Sequence, residues 1–453
     1  MNKFVVIGAG PAGESAARVA SKKGARVQLL EKENLGGLCL NRGCVPSKTL
    51  LAFGKKCFSL RQGITAKYFN GPKNLRQEFW REIGKEKDRV VQTLRDHLKK
   101  TFQLHKIEIL SGSAEFISPQ ELKISSANGA SSLLFDKAIV AVGSLPIFPP
   151  PFQEFQKDLL DSDRILELEE LSQNWLVVGG GAVGSEYACL LHSLGCAVTL
   201  LELKEQLLPG EDPNISQVLR KSFEKRGIQV LTNTKAESLR KNGNRWDVHF
   251  SSGALGSFDQ ILVCVGRRPN GDSIHCEKAQ IKISAKGVDV DATLCTSNPN
   301  VYAIGDVNGL SLLAHAGSVQ GEIAALNALD LNSTKRYDAA LIPRCLYTWP
   351  EVASVGMWLS EAKKLGFEVK SQRYFFEANA RALAEDAAEG FLQIVSEKES
   401  GKILGAQMVG PHVTEIIHIL SVAISQGLKR SQLREVVFAH PTLSEGIRTA
   451  LEK

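Results

Sequence analysis

Long apolar runs are missing from the sequence, and none approaches the roughly 18 residues of a membrane-spanning helix, so we expect no membrane partner. Cysteine is scarce, with 9 in 453 residues, which excludes a disulfide-rich scaffold. Neither charge sign dominates, because 55 Lys and Arg against 49 Asp and Glu leave a net charge of +6, too mild to indicate a nucleic-acid partner. With 43% hydrophobic and 23% charged residues, the composition is that of a folded globular chain.

The N-terminus does not have the pattern of a secretory signal. Residues Lys3 to Ile7 are basic and then apolar, but Gly8 and Gly10 interrupt the apolar stretch at once. A signal peptide needs a longer apolar stretch and a small-residue cleavage site. We therefore predict that this segment is the first strand of the fold, and we expect a cytoplasmic protein.

Two segments share one pattern, in which a strand leads into a glycine-rich turn, an Ala-rich stretch and a second strand that ends in an acid. The glycines and acids are Gly8, Gly10, Gly13 and Glu31 in the first segment, and Gly179, Gly181, Gly184 and Glu202 in the second. The first glycine and the acid are 23 residues apart in both segments. This repeat predicts two βαβ units of the dinucleotide-binding type.

The residue types of these turns suit a dinucleotide. Glycines allow a tight turn and a close approach of the backbone to a pyrophosphate, and a helix N-terminus presents free N–H groups to it. The acid can accept hydrogen bonds from ribose hydroxyls. Because a carboxylate repels a 2′-phosphate, Glu202 favours NAD over NADP, although Lys204 lies close enough in sequence to meet a phosphate.

The chain divides at a proline-rich segment, since residues 146–151 hold four of its 16 prolines. The first unit therefore ends near residue 145, and the second occupies about 152–266. Residues 336–453 lack the glycine pattern and form a third region. In that region we predict strands at 391–395 and 403–409 and a helix from Glu415 to Gln426.

Cys39 and Cys44 form the one local cysteine pair. A regular helix would separate their Cα atoms by about 8–9 Å, whereas a disulfide requires less than about 7 Å. A bonded pair therefore needs a break in the helix, which Gly43 permits, and Pro46 suits the first turn of a following helix. A zinc site lacks further ligands nearby. Two unrelated reduced cysteines are disfavoured because the pair directly follows a nucleotide-binding unit, where a disulfide can relay electrons.

The segment from Gly36 to Lys48 resembles the redox-active disulfide motif of the pyridine nucleotide–disulfide oxidoreductases. Within that family the chain resembles the dihydrolipoyl dehydrogenases from residue 3 to about 450. The other motifs that carry the resemblance, in chain order, are Ala141-Val142-Gly143-Ser144, Val263-Cys264-Val265-Gly266-Arg267-Arg268-Pro269-Asn270, Ala303-Ile304-Gly305-Asp306, Leu313-Ala314-His315 and Ala439-His440-Pro441-Thr442-Leu443-Ser444-Glu445.

The resemblance implies an α/β fold with two Rossmann-like dinucleotide-binding domains, one for FAD and one for NAD, and an α+β C-terminal dimerisation domain. The expected ranges are 1–145 for the first FAD segment, 146–266 for the NAD domain, 267–335 for the second FAD segment and 336–453 for the interface domain. The implied FAD contacts are Gly8, Gly10, Gly13, Glu31, Gly37, Lys48, Ala114, Gly143, Asp306 and Ala314. The implied NAD contacts are Gly179, Gly181, Gly184, Glu186, Glu202 and Gly266, and no metal site is expected.

The resemblance also implies the chemistry. Dihydrolipoamide attacks Cys39, His440 takes the substrate proton, and Glu445 orients the imidazole. Cys44 lies against the flavin and passes the electrons to it, and NAD⁺ receives them as a hydride. Lys48 and Glu186 match a pair that approaches the flavin. The expected partners are a second copy of the chain, which donates His440, and the lipoyl domains of 2-oxoacid dehydrogenase complexes or the glycine cleavage carrier.

The sequence departs from the family pattern in places and leaves alternatives open. Leu38 and Val142 each replace a usual Thr, and Trp349 stands where His is common. A glutathione reductase-like enzyme that uses NADPH is the nearest alternative, and Glu202 and the apolar Leu443 argue against it. A mercuric reductase-like enzyme is less favoured because no cysteine follows Cys345. A flavin-bound protein without catalysis is disfavoured because all four predicted reacting groups are present.

Overall fold

A computed structural model describes residues 3–60, 75–330 and 332–452. The predicted domain ranges also include residues 1–2, 61–74, 331 and 453, which lie outside the described part. The chain forms two compact units. The first unit comprises residues 1–49, 82–147 and 266–339, and the second comprises residues 50–81, 148–265 and 340–453.

The α-helices of the described residues are α1 (Pro11–Lys22), α2 (Gly37–Arg42), α3 (Cys44–Leu60), α4 (Leu75–Leu104), α5 (Ala182–Ser193), α6 (Pro213–Arg226), α7 (Ala314–Leu329), α8 (Leu359–Lys364), α9 (Ala380–Ala384), α10 (Val413–Ser425), α11 (Arg430–Arg434) and α12 (Glu445–Glu452). Short 3₁₀ helices cover Phe152–Phe155, Arg164–Glu167, Gly271–Ile274, Cys276–Ala279, Gly305–Asn308, Ala339–Leu341 and Phe376–Ala378. The predicted helix in the third region is confirmed as α10, with bounds one or two residues earlier.

The first unit is built on a parallel five-stranded sheet. Its strands are β1 (Lys3–Ile7), β2 (Arg26–Glu31), β3 (Glu108–Ser111), β4 (Ser113–Ser118), β5 (Glu121–Ser126), β6 (Gly129–Leu134), β7 (Lys137–Val140), β8 (Ser144–Pro146), and, later in the chain, β17 (Arg267–Pro269), β18 (Ile283–Ser284), β19 (Gly287–Val288) and β20 (Val301–Ala303). The parallel sheet has the order β20-β7-β1-β2-β3, and β4-β5-β6 form an antiparallel sheet beside two short strand pairs.

The second unit contains another parallel sheet and an antiparallel one. Its strands are β9 (Leu160–Asp161), β10 (Asn174–Val178), β11 (Ala197–Leu201), β12 (Gln229–Leu231), β13 (Ala236–Asn242), β14 (Arg245–Phe250), β15 (Leu255–Phe258), β16 (Gln260–Val263), β21 (Arg344–Leu346), β22 (Glu351–Gly356), β23 (Val369–Phe375), β24 (Phe391–Glu397) and β25 (Ile403–Gly410). The parallel sheet runs β12-β11-β10-β16-β9, β13-β14-β15 are antiparallel, and so are β21-β22-β25-β24-β23.

The two parallel sheets place their glycine-rich turns in equivalent positions. The central strand β1 pairs with β2 on one side and β7 on the other, and β10 pairs likewise with β11 and β16. The chain order reverses at these strands, and such switch points at the carboxyl ends of parallel strands are where doubly wound sheets bind ligands. The central strands β1 and β10 are buried on both faces, as their continuous apolar runs require. The predicted fold class, two Rossmann-like parts and a C-terminal α+β part, is confirmed.

Candidate active site

The first glycine of each turn has a backbone that only glycine adopts easily. Gly8 has φ +105° and Gly179 has φ +102°. A Cβ at Gly8 would lie 2.4 Å from the carbonyl oxygen of Ala141, and a Cβ at Gly179 would lie 2.4 Å from that of Cys264. Both turns therefore pass directly against the backbone that follows the neighbouring strand, β7 or β16, and a side chain would push the two apart.

Of the other two glycines in each turn, the third is closely packed and the second borders open space. A Cβ at Gly13 or at Gly184 would lie 1.9 Å from the carbonyl oxygen of the first glycine, so these residues let the helix pack on the strand. In contrast, the nearest atom to a Cβ at Gly10 is 3.9 Å away, and nothing lies within 4 Å of one at Gly181. This open space faces the helix N-termini, so both turns fit a pyrophosphate.

The two acids make the same contacts in each repeat. Glu31 accepts hydrogen bonds from the backbone N–H of Ala9 (2.9 Å) and of Glu33 (2.8 Å). Glu202, which is 7% exposed, accepts from the N–H of Gly180 (2.7 Å) and of Lys204 (2.8 Å). Each carboxylate is thus fixed beside its glycine-rich turn with lone pairs remaining for a ribose.

Asp306 belongs to a polar cluster with Ser144 and Arg267, of which only Asp306 was a predicted FAD contact. Ser144 Oγ donates to Asp306 Oδ2 at 2.6 Å, and the Arg267 guanidinium donates to Ser144 Oγ and to its carbonyl oxygen, both at 3.0 Å. Burial raises the pKa of Asp306, and the Ser144 hydrogen bond and the Arg267 charge oppose this rise. Ser144 and Arg267 were absent from the predicted contacts, although both stand in motifs that carry the family resemblance.

Four further predicted FAD contacts lie in loops or near the ends of elements in the first unit. Gly143 (φ +70°) accepts from the N–H of Asn270 at 3.0 Å, and Ala314 is the first residue of α7. Gly37 (φ +55°) lies against the first turn, because a Cβ there would be 2.7 Å from the Cα of Gly10. Ala114 is buried in β4.

A cleft of about 750 Å³ in the first unit is lined by Lys32 and Ser113, next to Glu31 and Ala114. Glu31 and Ala114 are sequence neighbours of these residues and do not themselves line the cleft.

Two predicted NAD contacts have distinct surroundings. Glu186 on α5 is 5% exposed, and its Oε1 accepts from the backbone N–H of Tyr347 at 2.9 Å. Gly266 (φ +118°) lies at the start of the segment that re-enters the first unit, where its carbonyl accepts from the N–H of Ile147 at 3.2 Å.

The cysteine pair lies where two helices meet. Cys39 is on α2 and Cys44 begins α3, and Gly43 between them leaves helical geometry with φ −136° and ψ −116°. The predicted break in the helix is confirmed. A Cβ at Gly43 would lie 3.0 Å from the carbonyl oxygen of Leu38 and 3.2 Å from the Cα of Cys39, so the chain folds back closely on the first cysteine. Pro46 stands in the first turn of α3, as predicted.

The side chains of Cys39 and Cys44 lie within hydrogen-bonding reach of each other. Hydrogen bonding to Cys44, together with burial and the nearby Cys44 charge, raises the pKa of Cys39, while the positive charge of Lys48 acts in the opposite direction. Cys39 therefore holds its proton more tightly than an ordinary cysteine thiol. The predicted disulfide between them stays a prediction.

His440 and Glu445 meet in the second unit. His440 Nδ1 and Glu445 Oε2 are 2.9 Å apart, and the imidazole is 72% exposed whereas the carboxylate is 23% exposed. Glu445 is the first residue of α12, where a helix N-terminus favours a negative charge. Its other oxygen accepts from the backbone N–H of Thr442 at 3.2 Å. Each oxygen of the Glu445 carboxylate thus has one hydrogen-bond partner, and one of these contacts orients the His440 imidazole.

The predicted catalytic and cofactor-binding residues divide between the two units. Cys39, Cys44, Lys48 and the first glycine-rich turn share the first unit, while His440, Glu445, Glu186 and the second turn share the second unit. Within residues 3–60, 75–330 and 332–452, no three His, Cys, Asp or Glu side chains converge as a metal site. None of the helices in that same part of the chain combines the length and apolar character of a membrane crossing.

Comparison with known proteins agrees with this geometry over nearly the whole chain. The family model described as pyridine nucleotide-disulphide oxidoreductase matches residues 2–321. The model of the dimerisation domain of the same family matches residues 342–451.

Similar proteins carry related names. The chain is 38% identical to the dihydrolipoyl dehydrogenase of Thermus scotoductus, covering 99% of this chain and 96% of the relative, and 34% identical to that of Bacillus subtilis, with 99% and 97% covered. Among solved structures, LpdA from Mycobacterium tuberculosis superposes with a TM-score of 0.91 at 25% identity, over 100% of this chain and 99% of that one. A Cu(II) complex of the flavoprotein disulfide reductase RclA from Escherichia coli gives 0.89 at 27%, with the same coverage. The chain therefore belongs to the pyridine nucleotide-disulphide oxidoreductase family.

Proposed function

We propose that this chain is a dihydrolipoyl dehydrogenase, which oxidises protein-bound dihydrolipoamide and reduces NAD⁺. The observation that carries the proposal is the close approach of the Cys39 and Cys44 side chains, in the same unit as a dinucleotide-binding turn. The relatives named dihydrolipoyl dehydrogenase match almost the whole chain. Glu202, fixed at the second turn, favours NAD over NADP and so argues against a glutathione reductase-like enzyme.

The two turns hold the two cofactors in this proposal. The first turn with Glu31 and Asp306 binds FAD, and the second with Glu202 and Glu186 binds NAD. FAD bound at the first turn would supply the acceptor for the electron pair of the thiols and the donor of a hydride to NAD⁺. The predicted domain ranges follow from these roles, with 1–145 and 267–335 serving FAD, 146–266 serving NAD and 336–453 forming the interface.

The cysteines carry out thiol–disulfide exchange. In their disulfide form, a substrate thiolate attacks the Cys39 sulfur, and Cys44 leaves as a thiolate. The second substrate thiol loses its proton to His440 and attacks the first substrate sulfur, which releases Cys39 and closes the substrate disulfide. Two electrons thereby move from the substrate dithiol to the cysteine pair.

His440 is suited to act as the base because of its bond to Glu445. An ionised carboxylate only accepts hydrogen bonds, so the Nδ1 atom must carry the proton in the 2.9 Å contact. The Nε2 atom then keeps a lone pair for the substrate proton. Glu445 also stabilises the imidazolium that forms.

The dimerisation domain supports a homodimer. In our proposal His440 serves the cysteine pair of the partner subunit, and its 72% exposure leaves the ring open to a second chain. The proposed substrates are lipoyl domains of 2-oxoacid dehydrogenase complexes or the glycine cleavage carrier, and the proposed location is the cytoplasm.

Two parallel assays test the activity. The purified protein is given dihydrolipoamide with NAD⁺, and separately glutathione disulfide with NADPH. We expect turnover in the first mixture, and turnover only in the second would overturn the proposal. Replacing Cys39 with Ser should abolish turnover and leave FAD bound, whereas loss of FAD would mean that the pair is structural.

Mixed dimers test whether the site is shared. Cys39→Ser chains and His440→Gln chains are each inactive alone. If the site combines both subunits, a mixed dimer keeps one intact site, and random pairing restores about a quarter of the parent activity. If each chain builds its own site, the mixture stays inactive.

A further inference from the structure

Asn41 lies between the two cysteines in sequence, and both polar atoms of its side-chain amide form hydrogen bonds. Its Nδ2 donates to the carbonyl oxygens of Leu35 (3.0 Å) and Gly37 (2.8 Å). Its Oδ1 accepts from Arg95 Nη2 (2.7 Å) and Arg95 Nε (3.2 Å). The amide therefore ties the short helix α2 to the loop that precedes it, and the guanidinium fixes which way the amide faces.

Arg95 is itself held in place on α4. Its Nη1 donates to Gln92 Oε1 at 3.4 Å. One turn further along α4, Leu98 is buried in the same hydrophobic core as Leu40 of α2. The guanidinium thus projects to Asn41 from a helix that packs on the same core, so its position is well determined.

The arrangement matters because α2 is short and is held by few contacts, which besides Asn41 include Leu40 in the hydrophobic core and the Arg42–Glu33 ion pair at 2.7 Å. The helix has six residues, begins at the left-handed Gly36 and Gly37, and ends at the break at Gly43. A helix this short has little stability of its own in water. The approach of Cys39 to Cys44 across Gly43 therefore depends on contacts from outside α2.

We propose that Arg95 is a positioning residue for the Cys39–Cys44 pair and acts through Asn41. This inference rests on the proposed function, because it assigns Arg95 a part in dithiol oxidation. Thiol–disulfide exchange needs the reacting sulfurs in a defined geometry, and a misplacement of about 1 Å can cost roughly 100-fold in rate. Arg95 does not touch the sulfurs or a substrate in this proposal; it sets the orientation of the helix that carries Cys39.

The test compares two reactions of the same holoenzyme. NAD⁺ reduction by dihydrolipoamide requires the cysteine pair, whereas ferricyanide reduction by NADH uses the bound flavin and bypasses the pair. For Arg95→Met we expect kcat for dihydrolipoamide to fall between about 10- and 100-fold. Its KM, the FAD content and the ferricyanide rate should stay at parental values. Arg95→Lys, which keeps a donor, should recover part of the loss.

Arg89→Met is the matched control, because Arg89 lies on the same helix in an exposed pair with Glu86 at 2.6 Å. It should leave both reactions unchanged. An unchanged dihydrolipoamide rate in Arg95→Met would overturn the inference, and so would a parallel fall in ferricyanide reduction, which would indicate general damage to the unit. A parent enzyme inactive with dihydrolipoamide would instead contradict the proposed function.

A double-mutant cycle tests the route through Asn41. If Arg95 acts only through that side chain, Asn41→Ala combined with Arg95→Met should lose no more activity than Asn41→Ala alone. Losses that multiply would show that Arg95 acts on the pair in another way and would overturn this part of the inference.

Discussion

Gly181→Ala isolates the one glycine of the second turn that the fold itself does not need. Its φ of −73° and ψ of −169° suit any residue, and no atom lies within 4 Å of an added Cβ. The change should therefore alter the free energy of unfolding by no more than about 1 kcal/mol, because the restriction of the unfolded chain by alanine opposes its poorer fit at the N-cap of α5. A larger loss of stability would already contradict this reasoning.

The added methyl group would instead occupy space that we assign to the NAD pyrophosphate. Pushing that group from the N-terminus of α5 should cost at least one charge-assisted hydrogen bond, worth about 1.5–3 kcal/mol. Because 1.4 kcal/mol is about a tenfold change in affinity, we expect Kd for NAD⁺ to rise between about 10- and 150-fold. FAD content should not change, since FAD is assigned to the first turn.

The assay is calorimetric titration of NAD⁺ into the FAD-loaded protein, together with a thermal melt. Gly210→Ala is the matched control, because Gly210 is exposed and nothing lies within 4 Å of its added Cβ. The control should bind NAD⁺ like the parent. Equal affinities of the two variants would refute the assignment of the second glycine to the pyrophosphate.

Two further predictions concern the titratable groups. Glu445→Gln should lower kcat with dihydrolipoamide by about tenfold or more, because an amide stabilises the His440 imidazolium less than a carboxylate, while NADH-dependent ferricyanide reduction stays unchanged; parallel losses would argue for a structural role. Asp306 has a raised pKa in the folded chain, so its contribution to stability is present at low pH and is lost as the pH rises through that pKa. Asp306→Asn should therefore raise the melting temperature of the FAD-free protein at pH 8 more than at pH 4, and an equal change at both would contradict the assignment.

Local sequence patterns predicted much of the fold because the backbone conformation at these positions depends mainly on the residue type itself. Gly8 and Gly179 need positive φ, and the spacing from each to its acid measures one strand, one helix and a second strand. The break at Gly43 could be predicted in the same way, because a bonded cysteine pair five residues apart is incompatible with a regular helix.

Contacts between distant segments could not be predicted from such patterns. Ser144, Arg267 and Asp306 come from three separate parts of the chain and form one hydrogen-bonded cluster. Arg95 contacts Asn41, which lies 54 residues earlier in the sequence. Such meetings depend on how helices and strands pack, and no local preference of Arg or Ser encodes them. The Tyr347 backbone N–H that binds Glu186 carries no sequence signal at all, because every residue except proline has the same group.

The sequence by itself determined the two dinucleotide-binding units, the cysteine pair and the His440–Glu445 pair, because each depends on residues close together in the chain. Only the tertiary structure decided which glycines leave space for a ligand, what raises the pKa of Cys39 and which arginine contacts α2. These properties depend on atoms brought together by packing: a carbonyl 1.9 Å from a missing Cβ, one cysteine beside another, a guanidinium 2.7 Å from an amide. Steric and electrostatic effects act over a few ångströms, and only the folded chain sets those distances.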